Sequence, residues 1–290
     1  MSMTVDRQTS VIIPSLNSPL ISSVVDAVLA QDGFGSGDEI IVVGRDETMQ
    51  LSQRAQVRFI DTGRPVTAPV ARNIGIGAAQ SDLLLFLDSD CLPQAGWLRE
   101  HRRAHDSGHP VVGGGVLPVG DNYWHLVYNL TMFHELFSTE AAGARPFLPT
   151  LNLSVERPVI TEVGLLDTGL MRSQDLDWTT RMKAAGFMPY FWPKASIRHE
   201  HNRRTARQVW RDASTIGTYA SQVRLRHEDV LGTPAVLRNR YATLLLSPLI
   251  ALYVTARIIV KRPGTMLRHL STWPGIYFSK IAWCWGASRR

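Results

Sequence analysis

Apolar positions in the first hundred residues fall into short solid runs separated by stretches with helical spacing. Val11-Ile12-Ile13, Ile40-Ile41-Val42-Val43 and Leu83-Leu84-Leu85-Phe86-Leu87 show no polar alternation. Runs of this length and uniformity are what strands buried on both faces require. Strands are therefore predicted over 10–14, 39–43 and 83–87. Helices are predicted over 19–31 and 70–79, the first with Ser18 as N-cap and Pro19 in the opening turn, where its missing N–H costs nothing. A further helix over 96–106 follows Pro93. Strand and helix alternating at this interval imply an α/β fold, a mostly parallel sheet with helices on both faces.

From Pro110 the alternation breaks. Val111 to Val116 reads as a strand running into flexible glycines, 121–140 as a helix and 147–155 as another strand. Gln174 to Ala185 reads as a helix stopped by Gly186, and 205–224 as a longer basic one. Beyond these, Tyr241 to Ala256 holds no charged residue and is followed by Arg257, Lys261, Arg262 and Arg268. A second apolar stretch, Trp273 to Trp285, holds three tryptophans and one lysine. Both are shorter than the ~20 residues of a spanning helix. Aromatic residues beside basic ones instead predict helices lying at a membrane interface. The expected organisation is a domain over 1–230, its halves meeting near 115/116, and a C-terminal apolar helical, membrane-associated tail over 231–290.

Charge sharpens this division. The chain of 290 residues carries a net +6, but residues 198–290 hold 16 Lys+Arg against 4 Asp+Glu, a balance of +12, leaving −6 for residues 1–197. A basic, apolar tail on an acidic front half points to an anionic partner surface. Nucleic-acid binders seldom combine a basic face with such apolar stretches, so a membrane surface is expected and nucleic acid is not. The two cysteines, Cys91 and Cys284, form no metal or redox spacing, which suits a reducing compartment. Residues 1–9 carry no signal-like apolar run. The expected location is cytoplasmic, peripheral on the cytosolic face of a membrane.

The candidate chemistry begins where the run Leu83–Leu87 meets Asp88-Ser89-Asp90. Two carboxylates at the carboxyl end of a buried strand make a hard oxygen site suited to Mg²⁺ or Mn²⁺, ions that complete their shells with substrate phosphate. An Asp-rich turn capping the next helix would show the same three residues. No nucleophile elbow, phosphate loop or zinc spacing is present, and Gly75-x-Gly77 lacks the third glycine of a dinucleotide fingerprint.

Taken in order, six segments form a series: Ser10-Val11-Ile12-Ile13-Pro14-Ser15-Leu16-Asn17, Ala71-Arg72-Asn73-Ile74-Gly75, Phe86-Leu87-Asp88-Ser89-Asp90-Cys91, Asn152-Leu153-Ser154-Val155, Gln174-Asp175-Leu176-Asp177-Trp178 with Arg181, and Ile197-Arg198-His199. Over roughly residues 10–225 this series resembles the family 2 glycosyltransferases of GT-A fold. The resemblance implies a nucleoside-diphosphate sugar donor, with UDP as the family default and GDP or dTDP possible, and transfer with inversion. It implies a divalent metal, Mn²⁺ or Mg²⁺, held by Asp88 and Asp90 against the donor diphosphate, with His199 as a further ligand. Asp175 takes the place of the general base. Pro14 and Asn17 lie where the base and ribose are received, and Arg72, Asn73, Asp88 and Ser89 lie beside the donor.

Two departures stand out. Gln174 replaces the acidic residue that usually precedes the base. Gly44 and Arg45 stand where the family carries Asp after the second strand, leaving Asp46 as the substitute. Asp177, four residues before Arg181, reads as an ordinary helix ion pair. His201 would face the same side as His199 if the strand continued. Arg203, Arg204 and Arg207 would serve a diphosphate or a phosphorylated lipid, or form a solvated helix face. The tail adds a lipid-linked or amphipathic acceptor to the expected function. The alternatives are a nucleotidyltransferase and a non-catalytic nucleotide- or lipid-binding member of the same fold.

Overall fold

The computed structural model describes residues 7–47, 51 and 56–290. In chain order its elements are β1 (Thr9–Leu16), α1 (Ile21–Leu29), β2 (Glu39–Arg45), β3 (Val57–Asp61), α2 (Ala68–Ala78), β4 (Leu83–Leu87), β5 (Cys91–Pro93), α3 (Trp97–Asp106), β6 (Val111–Val116), α4 (Tyr123–Phe133), β7 (Gly143–Ala144), β8 (Asn152–Glu156), α5 (Arg157–Val163), α6 (Gln174–Ala184) and β9 (Tyr190–His199). Helices follow to the C-terminus: α7 (Ala206–Arg226), α8 (Glu228–Leu231), α9 (Arg240–Leu245), α10 (Ser247–Lys261), α11 (Pro263–Arg268) and α12 (Trp273–Ala287).

Packing divides the chain into two compact units, Met1–Leu117 with Ser138–His199, and Pro118–Phe137 with Glu200–Arg290. Composition places boundaries at 115/116 and 230/231. The packing draws them elsewhere, because α4 and α7 associate with the tail helices.

The first unit is built on a nine-stranded sheet of order β3-β2-β1-β4-β8-β6-β9-β5, with β7 pairing to β9. The solid apolar runs are its centre: Val11–Ile13, Ile40–Val43 and Leu83–Leu87 are all buried. β1 pairs in parallel with both β2 and β4, so the carboxyl ends of all three lie on one edge. The chain leaves β1 on one side, through β2 and β3, and returns to β4 on the other. This reversal is where open α/β sheets leave a crevice for ligands.

The expected mostly parallel sheet is corrected to a mixed one. β8 runs antiparallel to β4 and β6, and β9 runs parallel to β6 but antiparallel to β5 and β7. β3, β5, β7 and β9 were not predicted. β3 has no buried residue, β5 and β7 are three and two residues long, and β9 is interrupted by Pro193 and Lys194, so none carries an unbroken apolar run. The first helix starts two residues later than expected, because the Ser18 hydroxyl donates to the Ser89 carbonyl across the sheet edge (3.0 Å). Gly113–Gly115 are not flexible: β6 is buried throughout, and a Cβ at Gly114 would stand 2.0 Å from the Ala195 carbonyl oxygen.

The second unit is helical. α12 lies along α7 and also packs on α4 and α10. Close approach is set by glycine on both sides, since a Cβ at Gly217 would stand 2.1 Å from the Trp283 carbonyl oxygen and one at Gly286 1.7 Å from that of Ser214. The apolar stretch at Trp273–Trp285 thus packs into the helical unit mainly through its small residues, while its tryptophans stay half-buried. Among the described residues, no helix is long and apolar enough to cross a membrane.

Candidate active site

The edge formed by the ends of β1, β2 and β4 gathers three groups of side chains, all within the first unit. The first centres on Asp88, the residue after β4. Its N–H donates to the Leu151 carbonyl (3.2 Å) and its own carbonyl accepts from the Cys91 N–H (3.0 Å), which fixes the turn through Ser89 and Asp90. Arg72, on α2, donates Nη2 to the Asp88 carboxylate. Arg72 is only 2% exposed, and its Nε and Nη1 have no hydrogen-bond partner among the described residues. Buried donors are rarely left unmade, because each costs about 1–3 kcal/mol, more when charged. Two spare guanidinium donors beside the strand ends suit an anion such as a diphosphate.

Asp175 opens α6, preceded by Ser173 in a left-handed conformation (φ 60°). Its Oδ1 accepts the Leu176 N–H (2.9 Å). Burial pushes its carboxyl above the ordinary aspartate range; that N–H and the charge of Arg72 oppose the rise, while Asp88 adds to it. The carboxylate thus senses both members of the Arg72–Asp88 pair.

The helix carrying it is held firmly. The Trp178 ring meets Phe86 edge-on (centroids 5.4 Å, 87°) and donates Nε1 to the Gly164 carbonyl (2.8 Å). Arg181 pairs with Asp177 (2.9 Å) and donates to the Val163 and Leu165 carbonyls. Asp177 is therefore a brace, as its spacing suggests. Gln174 is buried, so an acidic side chain there would bring a second buried charge next to Asp175.

The second group is Asp90, Cys91 and His199. His199 Nε2 stands 3.5 Å from Asp90 Oδ1, and the three potential ligand atoms all lie within 4.8 Å of one another. This donor set fits a divalent cation. Asp88 lies outside the set, its carboxylate engaged by Arg72. Burial, then the Asp90 and Asp88 charges, push the Cys91 thiol well above its ordinary range.

The third group shapes the exit of β1 and β2. Pro14 is half-buried opposite Val43. Asn17, at φ 51°, donates its N–H to the Arg45 carbonyl (2.9 Å) and accepts the Glu47 N–H on Oδ1 (2.8 Å). Asp46 accepts the Leu51 N–H (2.8 Å), so it shapes its own loop. Gly44 sits at φ 143°, and a Cβ there would stand 1.8 Å from the Ser15 carbonyl oxygen. The close crossing of the two chains explains why no Asp stands at 44. Arg45 pairs instead with Asp61 and Glu47.

Other sequence candidates are placed differently. Asn73 exchanges two hydrogen bonds with the Leu166 backbone (2.9 and 3.1 Å) and thereby clamps the loop leading to α6. Ser89 contributes its carbonyl to Ser18. β9 ends at His199, so His201 does not extend the strand; it packs in the second unit against the rings of His125 and Tyr128. There Arg203 pairs with Asp212 and Arg204 with Asp121.

Sequence reasoning missed the positioning role of Asn152. Its Oδ1 meets Trp97 Nε1 (2.8 Å) and His101 Nε2 (2.9 Å), while its Nδ2 donates to the Gly115 and Ala195 carbonyls. One buried amide thus ties β8 to α3, β6 and β9 behind the site. Its signal was the alternation Asn152, Ser154, Glu156, which puts three polar residues on one face of a strand that is buried over its first four positions.

Carboxylates, an imidazole and a guanidinium at the strand ends of a mixed sheet define an α/β protein of GT-A type. A mannosyltransferase from Pyrobaculum calidifontis, solved with GDP-mannose and Mn²⁺, superposes with a TM-score of 0.62 over 97% of this chain and 86% of that one, at 17% identity. GalNAc-T7, solved with UDP, GalNAc and Mn²⁺, gives 0.55 over 79% of this chain and 52% of that one, at 14% identity. Likeness at such identities is one of fold. The particular family follows from sequence: residues 10–160 match the model of glycosyl transferase family 2, and the protein belongs to that family.

Relatives include the glycosyltransferase AglE of Haloferax volcanii, 29% identical over 188 residues, covering 61% of this chain and 62% of that one. The pre-mycofactocin glycosyltransferase of Mycobacterium tuberculosis is 27% identical over 173 residues, 55% of this chain and 35% of that one. The match thus spans about three-fifths of the first relative's length and about a third of the second's.

Proposed function

We propose that this protein transfers a sugar from a nucleoside-diphosphate sugar, with inversion, to a hydroxyl of a lipid-linked or amphipathic acceptor at the cytosolic face of a membrane. The observation that carries the transferase reading is the convergence of Arg72, Asp88 and Asp175 beside the Asp90–His199 pair at the strand ends. The fold neighbours that hold UDP or GDP-mannose with Mn²⁺ support a nucleotide-sugar donor and a divalent ion. Asp90 and His199 would hold that ion. When bound it stabilises the charge developing on a diphosphate leaving group without any proton transfer.

The protein's own groups perform the rest. Arg72, with two spare buried donors, receives diphosphate oxygens and holds Asp88 in place. Asp175, its proton affinity raised by burial against the opposing Leu176 N–H and Arg72 charge, accepts the acceptor hydroxyl's proton on its carboxylate as the hydroxyl attacks. The end of β1, with Pro14 and Asn17, receives the nucleoside.

The membrane part of the reading rests on α10. Its buried residues are Ser247, Ala251, Thr255 and Ile258, whereas Leu249, Leu252, Tyr253 and Val260 are exposed. A helix facing water turns its large apolar side chains inward. Three small residues and one isoleucine inside, with large apolar ones outside, suit a lipid surface, with Arg257, Lys261 and Arg268 beside them for anionic headgroups. Two free, buried cysteines accord with the cytosolic side.

The test is nucleoside diphosphate release from UDP-, GDP- and dTDP-sugars with Mn²⁺, Mg²⁺ or EDTA, with and without membrane lipid extract. Lipid-stimulated, metal-dependent release from one donor is expected. Release unaffected by EDTA would remove the metal, and release indifferent to lipid would remove the acceptor class.

A further inference from the structure

The cation site contains one group that neither spacing nor family resemblance assigns, the thiol of Cys91. β5 pairs antiparallel with β9, and Cys91 lies directly opposite His199. Opposed residues of an antiparallel pair project from the same face, so thiol and imidazole are neighbours by register. The third member, Asp90, presents one oxygen to both: Oδ1 is 3.8 Å from Cys91 Sγ and 3.5 Å from His199 Nε2.

A tetrahedral ion bound at about 2.3 Å to sulfur and about 2.0–2.2 Å to nitrogen and oxygen separates its ligands by roughly 3.3–3.6 Å. The Asp90 edges of this triangle need contract by only a few tenths of an ångström. With Asp88 held by Arg72, three protein ligands remain and the fourth position is left for an outside oxygen, the arrangement of an open zinc-type site.

We infer that Cys91 joins Asp90 and His199 as a thiolate ligand and makes this cation site prefer Zn²⁺ or Co²⁺ to Mg²⁺. Magnesium favours oxygen shells of octahedral geometry, whereas a sulfur, nitrogen and oxygen set suits borderline-soft ions. On binding, the S–H bond breaks, the sulfur electron pair goes to the metal and the proton leaves to solvent. The inference rests on Asp90 and His199 forming the cation site proposed above. It does not require transfer to occur.

The test is Co²⁺ titration of the full chain, wild type beside Cys91→Ser and Cys284→Ser. Wild type and Cys284→Ser are expected to show the near-ultraviolet sulfur-to-cobalt charge-transfer band and the visible bands of a four-coordinate ion. Cys91→Ser should lack the charge-transfer band. Its Zn²⁺ affinity, by competition, should fall about tenfold or more while Mn²⁺ affinity moves less than about threefold. Should Cys91→Ser fail to fold, the wild-type and Cys284→Ser spectra still decide whether sulfur binds and which sulfur it is.

Co²⁺ uptake without a charge-transfer band, equal Zn²⁺ affinity in wild type and Cys91→Ser, or no uptake by folded protein would each overturn the inference. In those cases, Mn²⁺-dependent nucleoside diphosphate release would leave the transferase reading standing. The charge-transfer band without turnover of any donor would instead keep the thiolate site and remove the transferase reading.

Discussion

At the scale of single residues, Asp175 and Gly44 make opposite kinds of demand on the chain. Asp175 needs a carboxylate whose affinity for protons is raised; burial raises it, while the Leu176 N–H and Arg72 oppose the rise. Asp175→Asn keeps shape and removes the base, so transfer should fall about 10²- to 10⁴-fold with donor binding preserved. Because its pKa lies above that of ordinary aspartate, the acid limb of kcat/KM should fall at higher pH than a solvent-exposed carboxylate would give. A rate independent of pH across the acid range would remove Asp175 from this role.

Gly44 is a demand for space. Asp at 44 would restore the residue common in the family, but at φ 143° its Cβ would overlap the Ser15 carbonyl. Gly44→Asp should therefore lower stability by about 1–3 kcal/mol and weaken donor binding. Tighter donor binding in a stable Gly44→Asp protein would show that the β1–β2 crossing relaxes and that the departure is not steric.

At the scale of elements, what was legible is what a local pattern can encode. β1, β2 and β4 announce themselves as unbroken apolar runs, and α2, α3 and α6 follow within a few residues of their predicted bounds. Asp88 and Asp175 were open to selection from the sequence because they sit at the end of a solid apolar strand and in the first turn of a patterned helix, and Asp90 went with Asp88 by its spacing. His199 borders a strand that carries no such pattern and was selected through the family resemblance alone. The place of β8 between β4 and β6 was not legible, because strand order is a long-range choice that no run of residues records. Nor was the partnership of Cys91 with His199, which is created by register across 108 positions of chain.

The α3–β8 interface shows how such unseen pairing carries energy. His101 meets Asn152 and Ser154, and His105 meets Ser154 and Glu156, forming one buried polar chain. Desolvation lowers His101 from 6.5 to about 3, and His105 in the same direction. The unfolded chain therefore binds more protons than the folded one between about pH 3 and 6.5, so stability is complete above that window and is lost on acidification. One such group contributes about 1.4 kcal/mol per pH unit, or about 2 kcal/mol between pH 6.5 and 5. Urea unfolding at about pH 7 and pH 5 should show at least this loss, and an unchanged midpoint would mean that these imidazoles are not held neutral.

At the scale of the whole molecule, the tail divides into parts with opposite faces, and the division decides how membrane attachment has to be tested. α12 is buried against α7 through Gly217 and Gly286, with the Thr218 hydroxyl donating to the Gly286 carbonyl (2.9 Å). Ending the chain near residue 236 would strip α12 away and uncover the face of α7 around Ser214 and Gly217 on which it packs. The shortened protein should lose the fold of its second unit, so its silence toward lipid would say nothing about attachment. Substitution on the exposed face is the cleaner experiment. Leu245, the last residue of α9, and Leu249 and Tyr253 of α10 are 81%, 64% and 65% exposed. Changing all three to Glu removes about 0.8 kcal/mol per buried CH₂ from a lipid contact. Surface changes of this kind usually leave folding within about 0.5 kcal/mol each. Wild type should cosediment with anionic vesicles in a manner only partly reversed by salt, since the apolar contribution is not screened. The triple variant should remain in solution, with its thermal midpoint nearly unchanged. Equal cosedimentation of both proteins would move the contact elsewhere on the basic surface. A wild type that never sediments would leave α10's outward leucines as a docking face for something other than lipid, and the acceptor would then have to be sought among soluble hydroxyl compounds.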